Sequence, residues 1–247
     1  MRVTEVPDPE SAELVYGRMR WNTPLSEDHA DLLLARMNIT QGDHILDLGC
    51  GWGELLLRAV AGISETNGTG VDHDTWALER GRDLARQRGL SERAVFLEMD
   101  ISMWRGSTPR VLCIGASHGW GGSAKALQAL RRAVAPGGRL LFGDGCWEHP
   151  PRRPGAAAMF GNEVLNLDDL IEQAIGAGWR VLHLSTADQR EWDDFESTWR
   201  EGRQEWLLSH PDIERASLVR DKVDAQLRDY VGIYRGELGF AYLVLGA

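Results

Sequence analysis

Short apolar runs alternate along this chain with segments of helical periodicity. The first run, Ile45, Leu46 and Leu48, suits a strand buried on both faces. Gly49, Gly51 and Gly53 end it, and Glu54 to Val60 follows with helical character. The alternation then repeats. A strand over Gly68–Asp72 leads to a helix from Thr75 to Arg88, and Arg93 to Glu98 gives a third strand. Arg110–Gly115 gives a fourth strand, followed by a helix from Ser123 to Val134. Leu140–Asp144 forms the fifth strand, Asn166 to Ala177 a helix, and Gly178–Leu184 the sixth strand. Glu191 to Arg235 is helical in pattern, with Phe195, Trp199 and Trp206 at helix-compatible spacing, and Pro211 divides it in two. Phe240–Leu245 closes the set as a seventh strand. Strands that alternate with helices predict an α/β fold of the doubly wound kind.

The connections carry their own signals. Ser26 can cap a helix that runs through Leu34 and Met37, with Glu27 and Asp28 in its first turn. Before it, Tyr16 to Leu25 mixes aromatic and basic residues in a loop-like stretch. Ala135-Pro-Gly-Gly-Arg139 reads as a tight turn into the fifth strand. The stretch from Gly143 to Pro154 is expected to leave the sheet as an active-site wall or lid, with Trp147 and Glu148 bordering substrate. Gly155 to Gly161 is expected to be an irregular cover. With 247 residues the chain suits one domain, 1–247, with an N-terminal cap segment, 1–41, and a helical insertion, 188–237. The insertion is expected to pack with residues 10 to 38 as a lid.

Composition narrows the partners. The formal net charge is -10 and no Lys/Arg block stands out, so nucleic acid is not expected as a partner. No apolar run is long enough to span a membrane, and the first residues lack an apolar signal core. Cys50, Cys113 and Cys146 form no C-x-x-C pair and read as reduced thiols, which points to a cytoplasmic protein. His149 has no second ligand at metal-binding spacing, so no metal is expected.

The strand–glycine loop–helix order from His44 to Val60 places a nucleotide-like group over the strand's carboxyl end. The spacing Gly49-x-Gly51-x-Gly53 differs from the G-x-G-x-x-G that seats a pyrophosphate. Asp47, two residues before the first glycine, would repel a pyrophosphate but can accept hydrogen bonds from an ammonium group. The implied ligand is a nucleoside that carries an amino acid. Asp72 ends the second strand, where a carboxylate can accept from both ribose hydroxyls, and Asp74 is placed to cap the next helix. The glycine-rich loop after the fourth strand lies where two ligands meet in such folds, and it holds His118 and Trp120. His118, an imidazole, is a candidate base, although attack by a good nucleophile needs chiefly alignment.

The stretch His-Ile-Leu-Asp-Leu-Gly-Cys-Gly-Trp-Gly resembles motif I of the class I S-adenosylmethionine-dependent methyltransferases. Asp72, Asp100 and the Pro-Gly-Gly turn resemble later motifs of that family. The Gly-Ala-Ser-His-Gly loop and Trp-Asp-Asp-Phe-Glu resemble its YjhP-like bacterial small-molecule group. The resemblance implies a Rossmann-like seven-stranded sheet of order 3-2-1-4-5-7-6 with the last strand antiparallel. It implies S-adenosylmethionine as cofactor and a small-molecule acceptor, attacked in line by an oxygen or nitrogen nucleophile to release S-adenosylhomocysteine. By the same resemblance Asp47, Gly49, Cys50 and Gly51 hold the methionine moiety, Asp72 the ribose, and Asp100 the adenine amino group. Ile101 packs on the ring, His73 lies beside it, and the sulfonium methyl points toward Gly115 to Trp120. Trp21, Trp120 and Trp147 are candidates for an acceptor wall that favours an aromatic or amine substrate. Two other classes share parts of the pattern: a non-catalytic cofactor-binding protein and a nicotinamide-dependent oxidoreductase. The Asn/Asp-Pro-Pro-aromatic motif of nucleic-acid amino methyltransferases is absent after the fourth strand.

Overall fold

A computed structural model describes residues 7–150, 153–160, 164–211 and 214–247. In chain order its elements begin with α1 (Ala12–Tyr16), α2 (Glu27–Arg36), β1 (His44–Leu48) and α3 (Glu54–Gly62). There follow β2 (Asn67–Asp72), α4 (Thr75–Gln87), β3 (Ala94–Glu98), β4 (Thr108–Ile114) and α5 (Ser123–Leu130). Next come β5 (Val134–Trp147), α6 (Pro154–Phe160), β6 (Leu165–Asn166), α7 (Leu167–Gly176) and β7 (Arg180–Thr186). The long α8 (Gln189–Ser209), α9 (Ala216–Asp229) and β8 (Leu238–Gly246) complete the set. The sheet order is β3-β2-β1-β4-β5-β8-β7, and the two-residue β6 pairs with the end of β5. Strand β8 is antiparallel to both its neighbours, and the other pairs are parallel. This is the order and sense that the resemblance implies, with β6 as an addition.

The continuous apolar runs are explained by burial on two faces. Ile45 of β1 points into a core that contains Leu33 and Met37 beside α2, Leu56 and Val60 of α3, and Leu78 of α4. Leu46 and Leu48 point into the opposite core, with Leu127 and Leu130 of α5 and Leu170 of α7. Strand β8 divides likewise, with Tyr242 and Val244 on one side and Ala241, Leu243 and Leu245 on the other. Each fully covered leucine contributes about 1.5–3 kcal/mol.

Several boundaries differ from the sequence pattern. The helix after the fourth strand stops at Leu130, because Val134 already pairs with Thr108 of β4. The pairing then jumps to Arg110 with Arg139, so residues 135–138 swing out of register, with Gly137 at φ +75°. The predicted turn is therefore present inside a longer strand. That strand also continues past Gly143, where an exit loop was expected. Antiparallel pairing with β8 holds it as far as Trp147, opposite Leu238. The expected irregular cover contains helix α6, while Pro151, Arg152 and Gly161 lie outside the described residues. A short helix, α1, occupies residues that the pattern had left unassigned, with Ser11 as its cap.

The helical stretch between β7 and β8 is longer at its start than the pattern indicates. Asp188 and Glu191 form a reciprocal capping box at the head of α8. After α9, Tyr230–Tyr234 winds as a π-turn. Helix α1 crosses α8 at Gly202, where an added Cβ would stand 2.0 Å from the Leu14 carbonyl oxygen. No described helix is long and apolar enough to cross a membrane.

Candidate active site

The glycine loop hangs from the end of β2. The amides of Gly49 and Cys50 donate to the Val71 carbonyl at 2.8 and 3.1 Å, and the Gly51 amide donates to Asp72 Oδ2 at 2.7 Å. Gly49 and Gly53 need their hydrogen side chains: φ is +78° and +66°, and a Cβ would stand 2.2 Å from the Ala116 Cβ and 2.4 Å from the Phe96 ring. At Gly51 a Cβ would meet nothing within 4 Å. That loop residue lines a cavity of about 270 Å³ at the carboxyl ends of β1, β2 and β4.

Asp47 forms part of the cavity wall and is 6% exposed. Burial, with the Asp72 charge adding to it, pushes its carboxyl up to about 7. A ligand cation there would remove that penalty, because opposite charge favours the carboxylate. Asp72 Oδ1 accepts from the backbone amides of His73 and Asp74, at 2.8 and 3.0 Å. These bonds fix the carboxylate at the cavity edge. Asp74 caps α4 through the Ala77 amide, as its position suggested.

Cys50, His73, Ile101, Gly115 and His118 line the same cavity. His73 is exposed, with Nδ1 3.6 Å from Asp72 Oδ1. His118 is also exposed, on a single 3-10 turn over Ser117–Trp120. Asp100 is not brought to the wall. It is exposed and accepts from the Ser102 amide at 2.8 Å, capping the 3-10 turn Ile101–Met103. Hydrogen bonds from the Ser102 side chain and then its amide keep the Asp100 carboxyl below the usual range. Its neighbour Ile101 is 8% exposed and faces the cavity.

The three tryptophans separate. Trp21 lines the cavity. Trp120 packs instead on the apolar cluster beside α5. Trp147 is carried away by the continuation of β5 and meets Phe160 edge-on, with ring centres 6.0 Å apart. Trp147 and Glu148 line a different cavity, with Asn166 and Leu167, so neither borders the site.

Sequence reasoning missed how the N-terminal segment is held. Residues 16–25 form a strap whose Tyr16, Arg20, Trp21, Asn22, Thr23 and Leu25 supply one side of the cavity. The Trp52 indole donates to the Arg20 carbonyl at 2.7 Å. Glu54, buried at the head of α3, pairs with Arg20 and Arg88 at 3.5 and 2.6 Å. The available signal was Trp52 itself, a large aromatic inside a glycine loop.

A family model described as a methyltransferase domain matches residues 45–138. The chain is 28% identical to the uncharacterized protein YjhP of Escherichia coli strain K12, over 92% of this chain and 93% of that one. The crystal structure of that protein superposes with a TM-score of 0.84, at 27% identity, over 94% and 97% of the two chains. A Geobacter sulfurreducens S-adenosylmethionine-dependent methyltransferase, solved with S-adenosylhomocysteine, gives a TM-score of 0.85 at 27% identity over 97% and 98%. A Thiobacillus denitrificans methyltransferase solved with the same compound gives 0.84 at 26% over 94% and 96%. Together these matches support a class I S-adenosylmethionine-dependent methyltransferase of the YjhP type. In this methyltransferase the cavity described above occupies the carboxyl ends of the strands, where doubly wound folds place their ligands. S-adenosylmethionine is the cofactor of the family.

Proposed function

We propose that this methyltransferase transfers a methyl group to an oxygen or nitrogen nucleophile of a small molecule, in the cavity walled by Asp47, Asp72 and the strap. The observation that carries the reading is Asp47: a carboxyl buried in the cavity wall and raised to about 7 gains from a cationic ammonium partner. Bound S-adenosylmethionine supplies an electrophilic methyl on sulfur. Asp47 takes the ammonium end and Asp72 the ribose hydroxyls, while the open side of Gly51 admits close approach. Asp100 acts through its cap, which holds Ile101 against the cavity. Trp21 and its strap neighbours face the acceptor and exclude water, so alignment does most of the work. His118, on the same wall, accepts the acceptor's proton. The cavity's size and the acidic net charge both favour a small acceptor over a nucleic acid. The three unpaired thiols support a reducing, cytoplasmic setting.

Calorimetric titration with S-adenosylhomocysteine, with NAD as control, tests the reading. Micromolar binding of the first and none of the second is expected. Asp72→Ala should weaken that binding by roughly 1–3 kcal/mol through lost charge-assisted hydrogen bonds. An unchanged affinity would remove Asp72 from the ribose. Once an acceptor is found, unchanged turnover in His118→Ala would remove the base.

A further inference from the structure

The first residues of the strap, 16–19, are fastened to the cofactor side of the fold by Arg80 of α4. Its Nη1 donates to the Tyr16 carbonyl at 2.7 Å, and its Nη2 to the carbonyls of Gly17 and Met19 at 3.3 and 2.7 Å. The guanidinium lies 4.3 Å from the Trp52 ring centre and 5.7 Å from that of Trp76. Tyr16 closes the cluster, with ring centres 6.3 and 6.1 Å from those two tryptophans. Arg80 forms no ion pair with a carboxylate among the described residues. Its three hydrogen bonds all go to neutral carbonyls 61 to 64 positions earlier in the chain. Burial lowers its pKa from the ordinary arginine value, and the charges of Glu13 and Glu54 act against that.

We propose that Arg80, stacked on Trp52, is a positioning residue that holds the strap closed over the bound cofactor and sets how long S-adenosylhomocysteine is retained. The inference rests on the cofactor reading above. Trp52 belongs to the glycine loop and binds the strap at Arg20, while Arg80 binds it at residues 16 to 19. Both fastenings lie beside strap residues that line the cavity. A planar, five-donor group is needed to reach three carbonyls and stack on an indole at once, and a lysine ammonium cannot do both.

The test is stopped-flow and calorimetric binding of S-adenosylhomocysteine to wild type, Arg80→Lys, Arg80→Ala and Trp52→Phe. Amide hydrogen exchange over residues 17–23 gives a parallel readout. Arg80→Lys is expected to raise the dissociation rate by about tenfold at full binding stoichiometry, with faster exchange confined to the strap. Trp52→Phe keeps the ring and loses one donor, so a smaller rise is expected. An unchanged dissociation rate in Arg80→Lys overturns the proposal. So does a loss confined to stoichiometry, which would mark Arg80 as a folding residue only. If Arg80→Ala does not fold, the lysine and phenylalanine variants still decide. Failure of wild type to bind S-adenosylhomocysteine would overturn the cofactor reading and this one with it. Variants that bind as wild type does would overturn only the role of Arg80.

Discussion

Asp47 ties the site's chemistry to pH. Its carboxyl is raised to about 7 by burial and by Asp72, so the free protein keeps the proton through the acidic range. An ammonium ligand prefers the carboxylate. Affinity for S-adenosylhomocysteine should therefore fall by close to tenfold per pH unit below about pH 7, and level off above it. A flat profile between pH 5.5 and 8 would take Asp47 away from the ammonium. Stability runs the other way. An unfolded Asp titrates near ~3.8, so between there and about 7 the folded state binds more protons and loses stability as pH rises. Asp47→Asn should raise the thermal midpoint at pH 8, leave it near wild type at pH 5, and weaken ligand binding. Asp47 and Asp72 were legible in the sequence because strand, loop and carboxylate are contiguous. Arg80 was not: its partners lie in another segment, and no local pattern joins them. Trp147 was misplaced for a related reason, since pairing with Leu238 outweighs the glycines at 143 and 145.

Among the elements, α2 and α8 share a single carboxylate. Glu191 Oε1 accepts from the Ser26 amide and hydroxyl at 2.8 and 2.6 Å, at the head of α2. Its Oε2 accepts from the Asp188 amide at the head of α8, and His29 Nδ1 lies 3.0 Å from Oε1. The other ring nitrogen of His29 meets Ser185 Oγ at 2.7 Å, which brings β7 into the same junction. Burial pushes the Glu191 carboxyl up, but these bonds outweigh it and hold it at about 2. Its contribution is full above the unfolded value near ~4.3 and is lost as pH falls toward 2. Glu191→Ala should cost roughly 2–4 kcal/mol in urea unfolding at pH 7, because the amides of both cap residues, Ser26 and Asp188, lose their acceptor. A cost under 0.5 kcal/mol, with ~1 expected for even one lost cap, would show that neither helix depends on it. Gly202→Ala tests the α1–α8 crossing. Helix propensity alone favours alanine by about 1 kcal/mol, yet the Cβ would meet the backbone oxygen of Leu14 at 2.0 Å. The clash should win by about 1–3 kcal/mol, and stabilisation instead would mean that α1 yields easily.

Across the whole molecule, the alternation of strands and helices was readable from local patterns, while the sheet order came from the family resemblance and matches the observed one. The count of helices between β7 and β8 was readable from spacing and Pro211. The mutual placement of those helices and the N-terminal strap was not. It depends on buried polar partners such as Glu196, which accepts from Tyr234 and Arg200 at 2.7 and 3.1 Å. The apolar periodicity of α8 does not encode such pairs. Trp206 likewise donates to the Pro7 carbonyl, 199 positions away, across the same junction.

The link between Ser26 and Glu191 spans 165 positions. During synthesis Trp52 and Arg80 follow the strap within 64 positions, but the carboxylate that fastens the head of α2, next to it, arrives only with α8. At about 5–20 residues per second, that is a wait of order ten seconds. The glycine loop, Asp72 and the first strands can assemble meanwhile, with the strap fastened at Trp52 and Arg80 but the head of α2 still unanchored. A nascent chain halted before α8 would then carry the loop and both carboxylates but retain its ligand poorly. Completion of the distal helices thus becomes the event that anchors the segment next to the strap.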